Sequence, residues 1–136
     1  MKPIGYWLNR TDQALTASMN SVLADFGLTR LGWQVLNAVE DDPQVTDADL
    51  PGALAVDADS EALAAAVLAV LADGWVTRPG PGRLALTDDG RLRAAEVARR
   101  VAAFRAASAA GITREEYVTA VTVLERMTHN LTASRD

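Results

Sequence analysis

The chain has 136 residues with 49% apolar and 23% charged residues, which is typical of one globular domain. It contains no cysteine and a single histidine, His129. Disulfides, thiol catalysis and multi-histidine metal centres are therefore excluded. The net charge of −5 has the wrong sign overall for a protein held mainly by contacts to phosphates.

Membrane and enzyme functions find little support in the residues. There is no apolar run of 18 residues, and the N-terminus has no charged-then-apolar leader, so a cytoplasmic protein without a membrane span is expected. The acidic pairs Asp41-Asp42 and Asp88-Asp89 are typical of a corner and a helix start, and no glycine-rich phosphate loop precedes a helix. We expect no enzymatic activity, no metal and no other cofactor.

The spacing of apolar residues predicts helices separated by glycine and proline positions. Gly27 is expected to be a left-handed stop, Thr29 a helix cap, and Thr113-Arg114-Glu115-Glu116 a capping box. Two β-rich runs, 75–78 and 83–86, flank Pro79-Gly80-Pro81-Gly82 and predict a hairpin with a four-residue loop. The predicted helices cover about residues 3–26, 29–43, 46–54, 59–74, 87–110 and 113–132.

The order of these elements predicts a mainly α protein. Residues 29–86 form three helices followed by a two-stranded wing, which is a winged helix-turn-helix. Residues 3–26 and 87–132 supply flanking helices whose apolar stripes would stay uncovered in a monomer. We therefore expect a single domain over 1–136 that forms a two-fold homodimer through the flanking helices. The alternative is a compact monomer.

Four segments of the sequence have a recognisable pattern: Gly27-Leu28-Thr29, Trp33-Gln34-Val35-Leu36, Ala72-Asp73-Gly74-Trp75-Val76-Thr77-Arg78 and Leu84-Ala85-Leu86-Thr87-Asp88-Asp89-Gly90. With these segments the sequence resembles the MarR family of bacterial winged-helix transcriptional regulators over nearly its whole length. The resemblance implies an obligate homodimer that binds double-stranded DNA, with the second helix of the helix-turn-helix in the major groove and the wing along the minor groove or backbone. It also implies a small-molecule pocket between the dimer helices and the DNA-reading unit.

The charges are unusual for a DNA reader. From Leu31 to Thr77 there is no Lys or Arg but there are nine acidic residues. The helix over 59–74 is the one that the resemblance places in the major groove. Ser60 is its candidate for base contacts, although a role as N-cap or first-turn residue explains a serine there better. Arg78 and Arg83 bracket the wing loop and are the candidates for the minor groove or phosphates. A cross-strand pair of solvated charges explains these two arginines about equally well.

The arginines of the long helix are expected to form a solvated face or to pair with acids of a partner chain. Two functions therefore compete. The first is a repressor whose DNA affinity responds to a small aromatic ligand. The second is a dimer of the same fold that no longer reads DNA and binds a ligand or a protein.

Aromatic residues near one cation suggest a site for a small aromatic acid, since a ring can stack while a guanidinium pairs with the carboxylate. Tyr6, Trp7 and Arg10 on the first helix and Trp33 on the second are the candidates. Packing explains both tryptophans somewhat better than ligand binding, and a salt bridge to Asp12 or to a carboxylate of a partner chain explains Arg10 at least as well.

Overall fold

The computed structural model describes residues 1–54 and 57–133. These residues form two compact units that divide after Ala102, so the second unit begins at Ala103 within the last turns of a helix. The elements in chain order are α1 (Ile4–Ala24), α2 (Arg30–Asp41), a 3-10 turn (Asp47–Asp49), α3 (Leu50–Ala53), α4 (Ser60–Ala72), β1 (Val76–Thr77), β2 (Ala85–Leu86), α5 (Asp88–Ser108) and α6 (Arg114–Ala133).

The mainly α winged-helix architecture predicted from the sequence is confirmed. α1 ends at Ala24, two residues before the predicted end, and Gly27 follows with a φ of 70°. The Thr29 cap is also confirmed, because its Oγ1 accepts a hydrogen bond from the Gly32 N–H at 3.0 Å. The predicted organisation as a single domain stays a prediction.

The core of the first unit lies between α2, α4, the strands and the start of α5. Its fully buried large side chains come from several elements, so the winged part is held by one shared apolar cluster rather than by local contacts. These side chains are Leu23, Val35, Leu36, Val45, Leu50, Trp75, Leu84 and Val97.

The helix-turn-helix differs in detail from the prediction. The predicted helix over 46–54 is a 3-10 turn followed by the four-residue α3, with the carboxylate of Asp49 accepting from the Thr46 N–H at 3.1 Å. α4 is capped by Asp59, whose Oδ1 accepts from the Ala62 N–H at 2.8 Å. Ser60 is thus the first residue of α4 and not its cap.

The wing is smaller than predicted. β1 and β2 are two residues each and pair antiparallel, so the loop runs over 78–84 instead of over four residues. The segment before the 3-10 turn adds a third stretch, because Thr46 forms an isolated bridge with Arg83 and the Leu84 N–H donates to Val45 O at 3.4 Å. This link ties the wing to the start of the helix-turn-helix, and the apolar pattern gave no sign of it.

Gly90 marks the closest approach between the wing and α5. Thr87 Oγ1 accepts from the Gly90 N–H at 2.8 Å and donates to Gly74 O at 2.6 Å. A Cβ on Gly90 would overlap the carbonyl group of Trp75, lying 2.7 Å from the carbonyl carbon. Trp75 is fully buried there.

The second unit contains the end of α5 and all of α6. The predicted capping box is confirmed: Glu116 Oε1 accepts from the Thr113 N–H at 2.9 Å, and Thr113 Oγ1 accepts from the Glu116 N–H at 3.0 Å. These hydrogen bonds, led by the one from the Thr113 backbone, lower the pKa of Glu116. None of the twenty residues of α6, all of them described, is buried.

Among the described residues, no helix combines the length and the apolar character needed to cross a bilayer.

Candidate functional site

The outward face of α4 is the surface that a winged helix presents to a ligand or to DNA. Buried residues of α4 pack inward against α2, and exposed positions alternate with them along the helix. The exposed side chains are short or acidic rather than basic, and Leu68 is 66% exposed. The exposed residues are Ser60, Glu61, Ala62, Ala64, Ala65, Leu68, Ala69 and Ala72.

Ser60 begins this face with an exposed side chain. Its hydroxyl is the sole side-chain hydrogen-bond donor in the sequence of α4, since the helix contains no Lys, Arg, Asn, Gln or Thr. The cap of the helix is supplied by Asp59, so the hydroxyl of Ser60 is not needed for that task. Alanine methyl groups contribute at most an apolar contact to a thymine methyl.

Arg78 is turned back toward the helix-turn-helix. Its Nη1 lies 3.0 Å from Asp47 Oδ2 and also donates to Arg83 O at 3.4 Å. The side chains of Arg78 and Asp47 are 38% and 47% exposed, so this ion pair lies at the surface and contributes about 1 kcal/mol at most. A phosphate that contacted Arg78 would have to replace this carboxylate or share the guanidinium with it.

Arg83 is half-buried beside the link between the wing and residue Thr46. Its Nη2 donates to Pro43 O at the long distance of 3.5 Å, and its buried Nε has no hydrogen-bond partner among the described residues. The two wing arginines therefore do not form the solvated cross-strand pair that was one of the two predicted explanations. Arg83 keeps more unused hydrogen-bonding capacity than Arg78.

The arginines of α5 also differ from expectation, because three of them pair within the same chain. Arg91 Nη1 lies 3.5 Å from Asp88 Oδ1, and Arg93 Nε lies 2.9 Å from Asp89 Oδ2. Arg100 Nη2 lies 2.7 Å from Asp25 Oδ2. The Arg93 guanidinium also lies 4.0 Å from the centroid of the Trp75 ring and donates to Asp73 O. Arg93 and Arg100 thus connect α5 to other segments, whereas Arg91 pairs within the helix; pairing of α5 arginines with a partner chain stays a prediction.

A groove of about 390 Å³ lies between α3 and α4, on the outward side of the helix-turn-helix. Its walls are mainly apolar, with the Arg78–Asp47 ion pair at one end. It is lined by Asp47, Leu50, Pro51, Ser60, Leu63, Ala64, Val67, Leu68 and Arg78. The helical pattern of apolar residues did not indicate this groove, although Leu68, a large apolar residue on an otherwise small-residue face, was a signal for it.

A second groove of about 390 Å³ lies along the first turns of α1. Tyr6 and Arg10 line it, and the Arg10 guanidinium lies 5.1 Å from the centroid of the Tyr6 ring, with Lys2 Nζ at 5.2 Å. The ring centroids of Trp7 and Tyr6 lie 5.0 Å apart, and the two ring planes are nearly perpendicular. Among the described residues, Arg10 does not form the ion pair with Asp12; its guanidinium lies over the Tyr6 ring instead.

The predicted aromatic residues are therefore only partly brought together. Tyr6, Trp7 and Arg10 form one cluster on α1. Trp33 is half-buried on α2 and is not among the residues that line the α1 groove. These three residues are the part of the predicted ligand site whose side chains lie next to one another.

Solved structures with the same architecture are numerous. A MarR family protein of Mycobacterium tuberculosis is 25% identical over 93% of this chain and 94% of that one, with a TM-score of 0.73. The regulator BpsR of Bordetella bronchiseptica, studied for control of its DNA binding by 6-hydroxynicotinic acid, is 22% identical over 93% and 94%, with a TM-score of 0.70. MarR of Escherichia coli in its reduced form is 21% identical over 93% and 94%, with a TM-score of 0.72.

No known family profile matches the chain. No curated protein matches it either. The structural likeness covers the helix-turn-helix, the wing and the flanking helices together, because nine-tenths of both chains are aligned in each comparison. The resemblance noted in the sequence is thus confirmed at the level of architecture: the chain has the winged-helix fold of the MarR family of transcriptional regulators.

Proposed function

We propose that the protein is a DNA-binding transcriptional regulator of MarR type, a repressor that acts as a homodimer and responds to a small aromatic acid. The observation that carries the proposal is the presentation of α4 and the wing side by side on one unit, in the fold that DNA regulators share over 93% of the chain. A two-fold dimer would present two such units to successive turns of a duplex.

The charge distribution determines how DNA would be held. α4 offers the Ser60 hydroxyl and alanine methyl groups to base edges, which is a weak basis for direct readout. Arg78 and Arg83 supply the positive charge at the wing, and both retain donor groups that a phosphate oxygen would accept from. DNA binding in this proposal is therefore weak in base readout and depends on about four arginines per dimer.

The salt dependence of binding tests this arrangement. With four phosphate contacts per dimer, the slope of log K against log salt concentration is expected to be about −3.6. Fluorescence anisotropy with the promoter duplex beside the protein's own gene measures it. The Arg78→Ala/Arg83→Ala double variant should lose at least about tenfold in affinity and most of the slope.

Arg99→Ala is the matched control, since it removes an exposed arginine about 16 Å along α5 from its start. It should leave both affinity and slope near those of the unchanged protein. Equal affinity for the promoter and for unrelated duplexes would contradict a sequence-specific regulator.

A specific observation also favours the second candidate function, a dimer of this fold that binds a ligand or a protein without reading DNA. From Leu31 to Thr77 the sequence has nine acidic residues and no Lys or Arg, and Arg78 is already paired with Asp47. Carboxylates beside phosphates are repelled. The same anisotropy experiment separates the two functions, because this candidate predicts no preference among duplexes.

The aromatic cluster on α1 supports the ligand part of the proposal. The Tyr6 ring offers a stacking face and Arg10 offers a guanidinium that would pair with a carboxylate. A MarR family structure from Mycobacterium tuberculosis in complex with p-aminosalicylic acid shows that an aromatic acid binds within this architecture. We place the effector site of this chain at Tyr6, Trp7 and Arg10, with Trp33 as a further candidate.

Titration with salicylate, followed by tryptophan fluorescence, tests the site. Quenching is expected to saturate, and Arg10→Gln should weaken binding at least about tenfold because the charged hydrogen bond is lost. Arg99→Gln serves as the control and should bind salicylate unchanged. Quenching that persists in both Trp7→Phe and Trp33→Phe would remove these two residues from the site.

A further inference from the structure

The groove between α3 and α4 has the properties of a helix-binding surface. Ser60, Ala64 and Leu68 follow one another at four-residue intervals, so they lie on one face of α4. The first two are small and permit a close approach, while Leu68 is 66% exposed at the rim. The floor is formed by the buried Leu50 and Val67.

The surroundings of this groove are acidic. Asp59 and Glu61 flank Ser60, both are exposed, and Asp47 lines the opposite end. The single cation among the lining residues, Arg78, is paired with Asp47 at 3.0 Å. Asp59 and Glu61 form no ion pair among the described residues, so their charges disfavour the phosphates of a nucleic acid, which carry one negative charge per about 1.7 Å of duplex. They attract a cationic partner.

We propose that this groove binds a cationic amphipathic helix of a protein partner, with apolar residues at i, i+3, i+4 and i+7 on the groove floor and Lys or Arg at the rim. Helix-in-groove recognition of this kind requires the apolar strip and the charged edges that the α3–α4 surface combines. The partner would cover the outward face of α4, so its binding would exclude DNA. The inference goes beyond the proposed function and does not depend on DNA binding.

A fluorescein-labelled peptide of about 18 residues, with leucines at the i, i+3, i+4 and i+7 positions and lysines elsewhere, is the probe. Fluorescence polarisation of the full chain without DNA should show saturable binding. Leu68→Ser is expected to weaken it at least about tenfold, since the leucine loses its burial against the peptide. Leu92→Ser on α5, where the leucine is 73% exposed, is the matched control and should leave binding unchanged.

Two further peptides examine the chemistry of the partner. A peptide with glutamates in place of the lysines, and one with the leucines spread around the helix, should both bind at least about tenfold more weakly. Equal binding of all three peptides, no binding of the lysine peptide, or an equal effect of Leu68→Ser and Leu92→Ser would overturn the inference. So would loss of promoter affinity in Leu68→Ser together with no peptide binding, because the face would then be a DNA surface.

The anisotropy experiment on promoter DNA is separate from this test. A chain that binds the lysine peptide but no specific duplex would refute the proposed regulator and keep the helix-binding groove. A chain that binds its promoter but not the peptide would refute the helix-binding groove and keep the proposed regulator.

Discussion

Alanine at position 90 is expected to destabilise the protein by about 3 kcal/mol, or to prevent folding of the winged unit. The added Cβ would overlap the Trp75 carbonyl, and that contact is with backbone, which has no rotamer by which to move away. Relief would require α5 to move away from the strand, which would disturb the buried Trp75 ring and the hydrogen bond from the Gly90 N–H to Thr87.

Thermal unfolding followed by circular dichroism would measure the effect, with the melting temperature of Gly90→Ala about 10 °C lower. Gly5→Ala is the control, because it also replaces a helical glycine and nothing lies within 4 Å of the new Cβ. It should be neutral or slightly stabilising, as alanine favours the helix. Similar melting temperatures for both variants would contradict the steric argument.

Val121→Glu is expected to raise the dimer dissociation constant at least about 100-fold, because two carboxylates would enter an apolar interface. Tyr117, Val118 and Val121 of α6 are between 47% and 60% exposed. Because each valine is already half covered, burial against a second copy contributes about 1 kcal/mol per side chain, less than for a fully exposed one. The exposed Ile4, Leu8 and Leu15 of α1 offer a similar surface.

Sedimentation at micromolar concentration should give a dimer for the unchanged chain and a monomer for Val121→Glu. Thr119→Glu is the matched control, because residue 119 lies about 200° around α6 from Val121. It adds the same charge and should leave the dimer intact. A single-chain mass for the unchanged protein would refute the dimer, and with it the two-unit engagement of DNA.

Much of the architecture could be predicted because local chemistry and tertiary packing agree. Thr29, Thr87 and Thr113 precede helices that they do cap, and Gly27 and Gly74 adopt the positive φ angles that end helices. The long apolar periods of α2 and α4 matched their buried faces. These elements depend on neighbours within a few residues, which is the information that a single sequence carries best.

The features that were missed depend on contacts between distant parts of the chain. The bridge between Thr46 and Arg83, and the ion pair between Arg78 and Asp47, join segments separated by more than thirty residues. No spacing rule shows that a wing arginine will pair with a carboxylate in the 3-10 turn that precedes α3. The sequence likewise suggested that Trp33 joins the α1 cluster, whereas the groove there is lined by α1 residues.

The bond between the wing and the segment before α3 has a mechanical consequence. The Asp47 N–H donates to Gly82 O at 2.9 Å and the Leu84 N–H donates to Val45 O at 3.4 Å, so bending the hairpin alone would break two main-chain hydrogen bonds. In the proposed dimer, each hairpin would therefore move together with the segment that leads into α3. An effector of the proposed regulator would then change the distance between the two winged units rather than the internal shape of either.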